Sequence, residues 1–209
     1  MGENKIHRAS GLTNKEFLRK YAKAGCVGLF GGSSSVDRAI RVGQRKLDDE
    51  AKPSLWSHVV VFEGDRIDGE QWLLESDFEM GKGQLRNGVQ ENRIEKYADE
   101  KEWPNLAVLD LGLKDREVTR IVVAGLDLVA KRTKYDLHGI LQTYWAMMRK
   151  TMDKGRDKDS TFCSAFVRAV FQHAGIDLAP GVAVQHTLPE HVSRTPLPHT
   201  RYLLVRDGT

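Results

Sequence analysis

Two cysteines and seven histidines are the residues of this 209-residue chain most suited to nucleophilic or acid–base chemistry. Cys163 is the more informative cysteine, because the segment 160–171 has the periodicity of an amphipathic helix and places Cys163 in the first turn. Unpaired amides and the helix dipole stabilise an anion at that end, so the pattern predicts a reactive thiolate. The alternative is a small cysteine packed in the core.

Cys26 has a different setting. It follows Ala24-Gly25 and precedes the apolar run Val27-Gly-Leu-Phe, with no helix start beside it. We therefore predict that Cys26 is a packing residue. The two cysteines lie 137 residues apart, which favours neither a disulfide scaffold nor a zinc site built on closely spaced cysteine pairs. Both thiols suit a reducing compartment.

A thiolate nucleophile needs a base, and His58 is the best candidate. It enters a predicted strand, 56–62, that forms a hairpin with 71–75 through a glycine-bounded turn. If residue 63 lies opposite residue 70, His58 lies directly opposite Glu75, with Cβ atoms about 4.5–5.5 Å apart. A carboxylate there would orient the imidazole. An ordinary surface ion pair is the alternative, and His138 is a weaker candidate base.

The first half of the chain predicts two helices followed by strands. Thr13 and Glu16 form a possible capping box for a helix over 13–24, and Gly25 is a stop signal. Serines 34 and 35 could cap a second helix that directs Val36, Ile40 and Leu47 to the core. Beyond the hairpin, further strands are predicted at 89–97 and 106–111.

The second half is predicted to be helical. Apolar residues recur at helical spacing from Asp115 to Val129. Further helices are predicted over 137–150 and from residue 160 or 161 to 174, separated by a polar loop at 153–159. The proline-containing tail ends in an apolar segment, 202–205, that could add an edge strand.

Composition indicates one domain and excludes several classes of protein. With 40% hydrophobic and 29% charged residues, the chain can bury one substantial core. A net charge of +3 spread along the chain argues against a nucleic-acid binder. No apolar run approaches the roughly 20 residues of a membrane helix, and the N-terminus lacks a secretory signal. We expect a cytoplasmic protein in the producing cell, or one exported by a non-classical route.

The order of these residues resembles that of a known group of enzymes. The motifs are Ser57-His-Val-Val-Val, Leu74-Glu-Ser, Tyr135-Asp136 and Phe162-Cys-Ser-Ala-Phe-Val. A histidine in a strand, an acidic residue in the next strand and a late cysteine opening a helix resemble the circularly permuted papain-like cysteine hydrolases, especially the YiiX-like branch of the NlpC-type amidase superfamily. Ordinary papain-like enzymes have the cysteine first.

The resemblance implies an α+β fold in which an antiparallel sheet or half-barrel packs against helices. It implies a catalytic domain over 26–195, preceded by a helical extension, 1–25, and followed by a tail or edge strand, 196–209. By the same resemblance Cys163 is the nucleophile, His58 the general base and Glu75 the residue that orients His58. Tyr135 would supply a hydroxyl to the oxyanion site. No metal or organic cofactor is implied.

The implied activity is cleavage of amide bonds through a thioester intermediate, in peptides such as bacterial cell-wall peptide. Related permuted enzymes act on lipid esters, so a phospholipid esterase or acyltransferase is the first alternative. A non-catalytic peptide-binding module is the second. A delivered antibacterial effector, with a secretion machinery and an immunity protein as partners, is a further hypothesis.

Overall fold

The computed structural model describes residues 4–81, 84–131 and 163–206. Tyr135, His138, the predicted helix 137–150 and the predicted loop 153–159 lie outside the described residues. The helices are α1 (Asn14–Tyr21), α2 (Ser35–Gly43), α3 (Asp115–Ala130), α4 (Cys163–His173) and α5 (Pro189–Ser193). The strands are β1 (Lys5–Arg8), β2 (Val27–Gly31), β3 (His58–Asp65), β4 (Gln71–Gly81), β5 (Gln84–Arg93), β6 (Asn105–Asp110) and β7 (Thr200–Val205).

The described strands form one seven-stranded sheet in the order β1-β7-β6-β2-β3-β4-β5. All neighbours are antiparallel except β1 and β7, which are parallel. The α+β class is as expected. The tail is not an edge strand, because β7 pairs with β6 on one side and with β1 on the other. The four residues of β1 are all exposed, so this strand has no buried face. The regular alternation of apolar and polar residues that predicts a half-buried strand is therefore missing.

Each face of the sheet carries its own hydrophobic core, because successive side chains of a strand point to opposite faces. Val59 and Val61 of β3 pack on one face with α3 and α4, where Phe166 is 1% exposed. Val60 and Phe62 pack on the other face with α1. The interior strand β3 therefore belongs to both cores.

The helix ends follow the predicted capping signals. The Thr13 hydroxyl accepts a hydrogen bond from the Glu16 amide, and the Glu16 carboxylate accepts one from the Thr13 amide at 2.8 Å. α1 ends at Tyr21, slightly before the predicted end, and Gly25 follows with φ +79°. Ser34 caps α2 through the Asp37 amide.

The predicted orientation of α2 is wrong. Val36 is 48% exposed, and Ile40 and Leu47 are only half-buried. The buried residue of this helix is Arg41, whose Nε donates to the Ser54 carbonyl at 2.9 Å. α2 therefore packs against the segment that precedes β3. This segment presents backbone carbonyl groups to α2, and not the apolar side chains that a hydrophobic core would present.

None of the helices in the described ranges is both long enough and apolar enough to cross a bilayer.

Candidate active site

The site is built at the start of β3, where His58 lies opposite Phe30 of β2. His58 is 8% exposed. It shares its sheet face with Val60 and Phe62, so its ring points toward the core that α1 covers. A histidine held in this way has little freedom to turn away from its partners.

Glu75 on β4 is the first partner of this histidine. The observed register pairs Glu75 with Val60, and a bulge lies between Phe62 and Gly64. The predicted pairing of His58 directly with Glu75 is therefore wrong by two residues. An even shift keeps both side chains on one face, so they still meet diagonally, and the His58 Nε2 to Glu75 Oε2 distance is 2.7 Å.

The Glu75 carboxylate is completely buried and accepts hydrogen bonds from three further groups. The Tyr97 hydroxyl donates to Oε2, beside the imidazole. The Asn92 amide donates to Oε1 at 2.6 Å, and the Lys96 ammonium donates to the same oxygen at 2.7 Å. Both carboxylate oxygens are thus held in fixed positions by β5 and by the 3-10 turn Ile94–Tyr97 that follows it.

Lys96 also bridges to a second carboxylate, that of Asp77, at 2.7 Å. Asp77 lies two residues beyond Glu75 on β4 and so faces the same side of the sheet. Lys96 is 18% exposed in its side chain. One cation therefore stands between the two acidic residues of this face.

Cys163 is the first described residue of α4 and is half-buried. It lies close enough to His58 for the charge of a Cys163 thiolate to raise the pKa of that histidine. Since Nε2 of the ring faces Glu75, the remaining ring nitrogen, Nδ1, is the atom available to the thiol. The three residues that the sequence singled out are therefore brought together, with His58 in the middle.

The electrostatics of His58 and Glu75 favour a charged pair. Burial lowers the pKa of His58, but the interactions with Cys163 and Glu75 outweigh burial and raise that pKa well above 6.5. Burial raises the pKa of Glu75, yet the hydrogen bond from His58 and the charge of Lys96 lower it to about 2. Glu75 therefore stays ionised at neutral pH, where it stabilises an imidazolium.

Cys26 behaves as a packing residue, as predicted. It is 3% exposed and belongs to the core beneath α1. Burial and the nearby charge of Asp110 raise the pKa of its thiol to about 12. Cys26 is therefore an uncharged thiol at neutral pH.

Aromatic side chains enclose the histidine and its carboxylate. The Tyr97 ring stacks on His58 with centroids 6.1 Å apart, and Trp103 lies 6.5 Å away. Phe30, the cross-strand neighbour of His58, also stacks on Tyr97, with ring centroids 3.8 Å apart. These rings limit water access to the hydrogen bond between His58 and Glu75, which strengthens it.

His58, Glu75 and Asp77 are also the described residues that come closest to a metal-ligand set, with ligand atoms within 4.8 Å of one another. The Lys96 ammonium, however, already contacts both carboxylates. A divalent ion bound there would face this positive charge and would have to displace it. The donor set therefore does not fit a resident metal.

Sequence reasoning missed four residues of this network: Asp77, Asn92, Lys96 and Tyr97. Asp77 has a readable signal, since Glu75-x-Asp77 within one strand places both carboxylates on one face. The other three carry no local signal. They reach Glu75 because β5 pairs with β4 and because the chain turns at Ile94, where a continuing strand was predicted.

Comparison with known proteins supports the fold. No protein-family model matches the chain, and no curated protein matches it. Among solved structures, it is similar to the crystal structure of metalloprotein yiiX from Escherichia coli O157:H7, with 13% sequence identity and a TM-score of 0.57. The match covers 90% of this chain and 99% of that one.

The chain has a YiiX-like fold. At this identity the likeness concerns the fold alone. The YiiX-like part of the predicted resemblance is therefore supported at the level of architecture.

Proposed function

We propose that this protein is a cysteine hydrolase in which Cys163 is the nucleophile, His58 the general base and Glu75 the residue that orients His58. The observation that carries the proposal is the position of the His58 ring, which interacts with Cys163 and lies 2.7 Å from a fully buried, ionised Glu75. One ring nitrogen of this imidazole is bonded to the carboxylate, and the proposal assigns the other to the proton of the thiol.

The reaction proceeds in two halves. His58 takes the proton of the Cys163 thiol, and the sulfur forms a bond to the substrate carbonyl carbon, which places a negative charge on the carbonyl oxygen. The electron pair on this oxygen then re-forms the carbonyl double bond. The C–N bond breaks at the same time, and His58 gives the proton to the leaving amine. Water, deprotonated by His58, then cleaves the thioester to release the acid and restore the thiol.

The oxyanion is stabilised by the end of a helix. The backbone amide of Cys163 is at the N-terminal end of described α4, where the dipole favours negative charge. Tyr135 is proposed as a second donor on the ground of the sequence resemblance, and it lies outside the described residues. Substitution of Tyr135 by phenylalanine is expected to lower kcat and leave KM nearly unchanged.

A thiol-reactive probe tests the nucleophile. We expect a peptide aldehyde or iodoacetamide to label Cys163 rapidly at pH 7, and Cys26 hardly at all, because Cys26 is buried with a pKa of about 12. Cys163→Ala and His58→Ala should both lose the rapid labelling, whereas the control Cys26→Ala should keep it. Equally slow labelling of both thiols would favour the non-catalytic peptide-binding alternative.

The substrate class is proposed to be a peptide amide, with bacterial cell-wall peptide as the first substrate to test. Purified protein is incubated with peptidoglycan fragments and, separately, with phospholipid vesicles, and products are identified by mass spectrometry. New amine and carboxyl termini in the peptide, absent with Cys163→Ala, support the amidase. Fatty-acid release without peptide cleavage would reject it in favour of the lipid esterase or acyltransferase.

The fold neighbour is described as a metalloprotein, and we propose that this chain works without a metal because Lys96 contacts both carboxylates of the only such cluster among the described residues. Treatment with a chelator is expected to leave thiol labelling and amide cleavage unchanged. Activity that falls on chelation and returns with zinc would contradict the metal-free mechanism.

A further inference from the structure

We infer that Lys96 is a positioning residue of this site: its ammonium balances the two carboxylates of β4 and holds Glu75 against His58. The inference rests on the proposed thiol chemistry, in which Glu75 orients the imidazole. It adds a residue that contacts Glu75 directly and that acts on the imidazole and the thiol through Glu75.

The Lys96 ammonium lies between the two carboxylates and contacts both of them. Nζ of Lys96 lies 2.7 Å from Glu75 Oε1 and 2.7 Å from Asp77 Oδ2. The remaining oxygen of Glu75, Oε2, is the one that contacts His58. A cation on Oε1 therefore fixes which carboxylate oxygen faces the imidazole, and Asn92 supports the same orientation with its own hydrogen bond to Oε1.

Lys96 also balances the charges of the two carboxylates, Glu75 and Asp77. Two carboxylates and one ammonium sit on one face with Glu75 wholly buried and Lys96 mostly buried. Without Lys96, two adjacent anions would share the site, and like charges at short range disfavour joint ionisation. With Lys96, the three described groups Glu75, Asp77 and Lys96 together carry one net negative charge, which matches one imidazolium.

The described charged and titratable groups around the imidazole come from three elements. Glu75 and Asp77 belong to β4, Lys96 and Tyr97 to the turn after β5, and Cys163 to α4. Tyr97 is buried, and burial and the charge of Glu75 raise its pKa well above 10, so it remains neutral. Removing Lys96 therefore leaves more negative charge facing His58, and removing Asp77 leaves less.

Alkylation of Cys163 by iodoacetate as a function of pH tests the inference. This anionic reagent needs the thiolate and is attracted by the imidazolium, so the wild-type rate should be bell-shaped with an alkaline limb that reports the His58 proton. Lys96→Met is expected to move the alkaline limb to higher pH by about one unit, since a removed cation at short range changes a pKa by that order. Asp77→Asn should move it to lower pH.

Three further variants separate charge from shape. Lys96→Arg and the double variant Lys96→Met with Asp77→Asn both have the net charge of wild type. The alkaline limbs of their alkylation profiles should therefore lie close to the wild-type limb. Lys15→Met is the matched control, because Lys15 is a half-exposed lysine that pairs with Glu95, next to Lys96. A purely structural lysine would lower the thermal midpoint of Lys96→Met without moving its limb.

The outcomes also separate this inference from the proposed function. A bell-shaped wild-type profile that His58→Ala abolishes, together with an unmoved limb in folded Lys96→Met, would overturn the role of Lys96 alone. If Lys96→Met does not fold, Asp77→Asn provides the test. An alkaline limb of Asp77→Asn at the same pH as that of wild type would then overturn the role of Lys96. A wild-type profile without any dependence on His58 would overturn the proposed function and, with it, this inference.

Discussion

At the scale of single residues, the site depends on one buried carboxylate. Glu75 is inaccessible to water and accepts hydrogen bonds from His58, Tyr97, Asn92 and Lys96. A buried charge is tolerated only when its partners compensate for lost hydration, and here a cation, a hydroxyl, an amide and an imidazole do so. The same partners that keep Glu75 ionised hold its oxygens in place for His58.

This arrangement predicts how stability depends on pH. Since the folded protein lowers the pKa of Glu75 from 4.5 to about 2, the contribution of Glu75 is fully present above pH 4.5 and is lost as pH falls toward 2. Glu75→Gln is expected to lower the free energy of unfolding by about 3 kcal/mol at pH 7. The difference from wild type should shrink below pH 4.5 in urea titrations.

Glu50→Gln is the matched control, because the Glu50 side chain is 70% exposed and pairs with Lys52, which is also exposed. Its difference from wild type should stay within about 0.5 kcal/mol at every pH. A constant Glu75→Gln difference from pH 7 to pH 3 would show that Glu75 is not ionised in the folded state.

At the scale of elements, the position of Cys163 depends on how α4 is anchored. Arg168 of α4 is 3% exposed and forms a two-pronged ion pair with Asp177, at 2.7 and 3.0 Å. It also donates to the Thr187 hydroxyl at 3.0 Å. Ser164, the residue after Cys163, donates to the Thr187 carbonyl at 2.6 Å. The segment after α4 therefore fixes the first turn of the helix.

Arg168→Met is expected to destabilise the protein by about 2 kcal/mol, because it leaves the buried Thr187 hydroxyl without this donor and removes the ion pair with Asp177. It should also lower the rate of Cys163 alkylation, since the first turn loses part of its support. Arg194→Met is the control: Arg194 is 46% exposed and pairs with Asp48 and Glu190, so its loss should cost less than about 1 kcal/mol. Equal losses for the two variants in urea unfolding would contradict this account.

At the scale of the whole molecule, one sheet separates two cores and β3 contributes to both. Val59 and Val60 are neighbours in sequence and are both completely buried, but they lie on opposite faces. Because the strands of this sheet, β3 among them, supply side chains to both cores, neither core can unfold while the other keeps its strands. The residues of the candidate site are distributed in the same way, with His58 on the face of α1 and Cys163 on a helix of the opposite face.

We therefore predict one cooperative unfolding transition. Val59→Ala and Val60→Ala should each lower the free energy of unfolding by about 2 kcal/mol without changing the slope in urea. Transitions followed by circular dichroism and by tryptophan fluorescence should coincide. Val123→Ala, at a position that is 57% exposed on α3, should change stability by less than about 0.5 kcal/mol. Two separate transitions would show that the cores unfold independently.

The sequence by itself determined the features that depend on neighbouring residues. The capping box at Thr13, the cap at Ser34 and the helix that carries Cys163 were predictable because helix termini and periodicity are local properties. The choice of His58 and Glu75 also followed from local pattern, because two adjacent strands bring their side chains to one face even when the register is shifted by two.

Only the tertiary structure decided the features that depend on distant segments. The bulge between Phe62 and Gly64 sets the register of β3 and β4, and β1 becomes a strand only because β7 offers it an edge. The contact of Lys96 with Glu75 and Asp77 requires β5 to pair along β4 and the chain to turn at Ile94. No local pattern encodes such a contact, since its free energy comes from charges that only folding brings together.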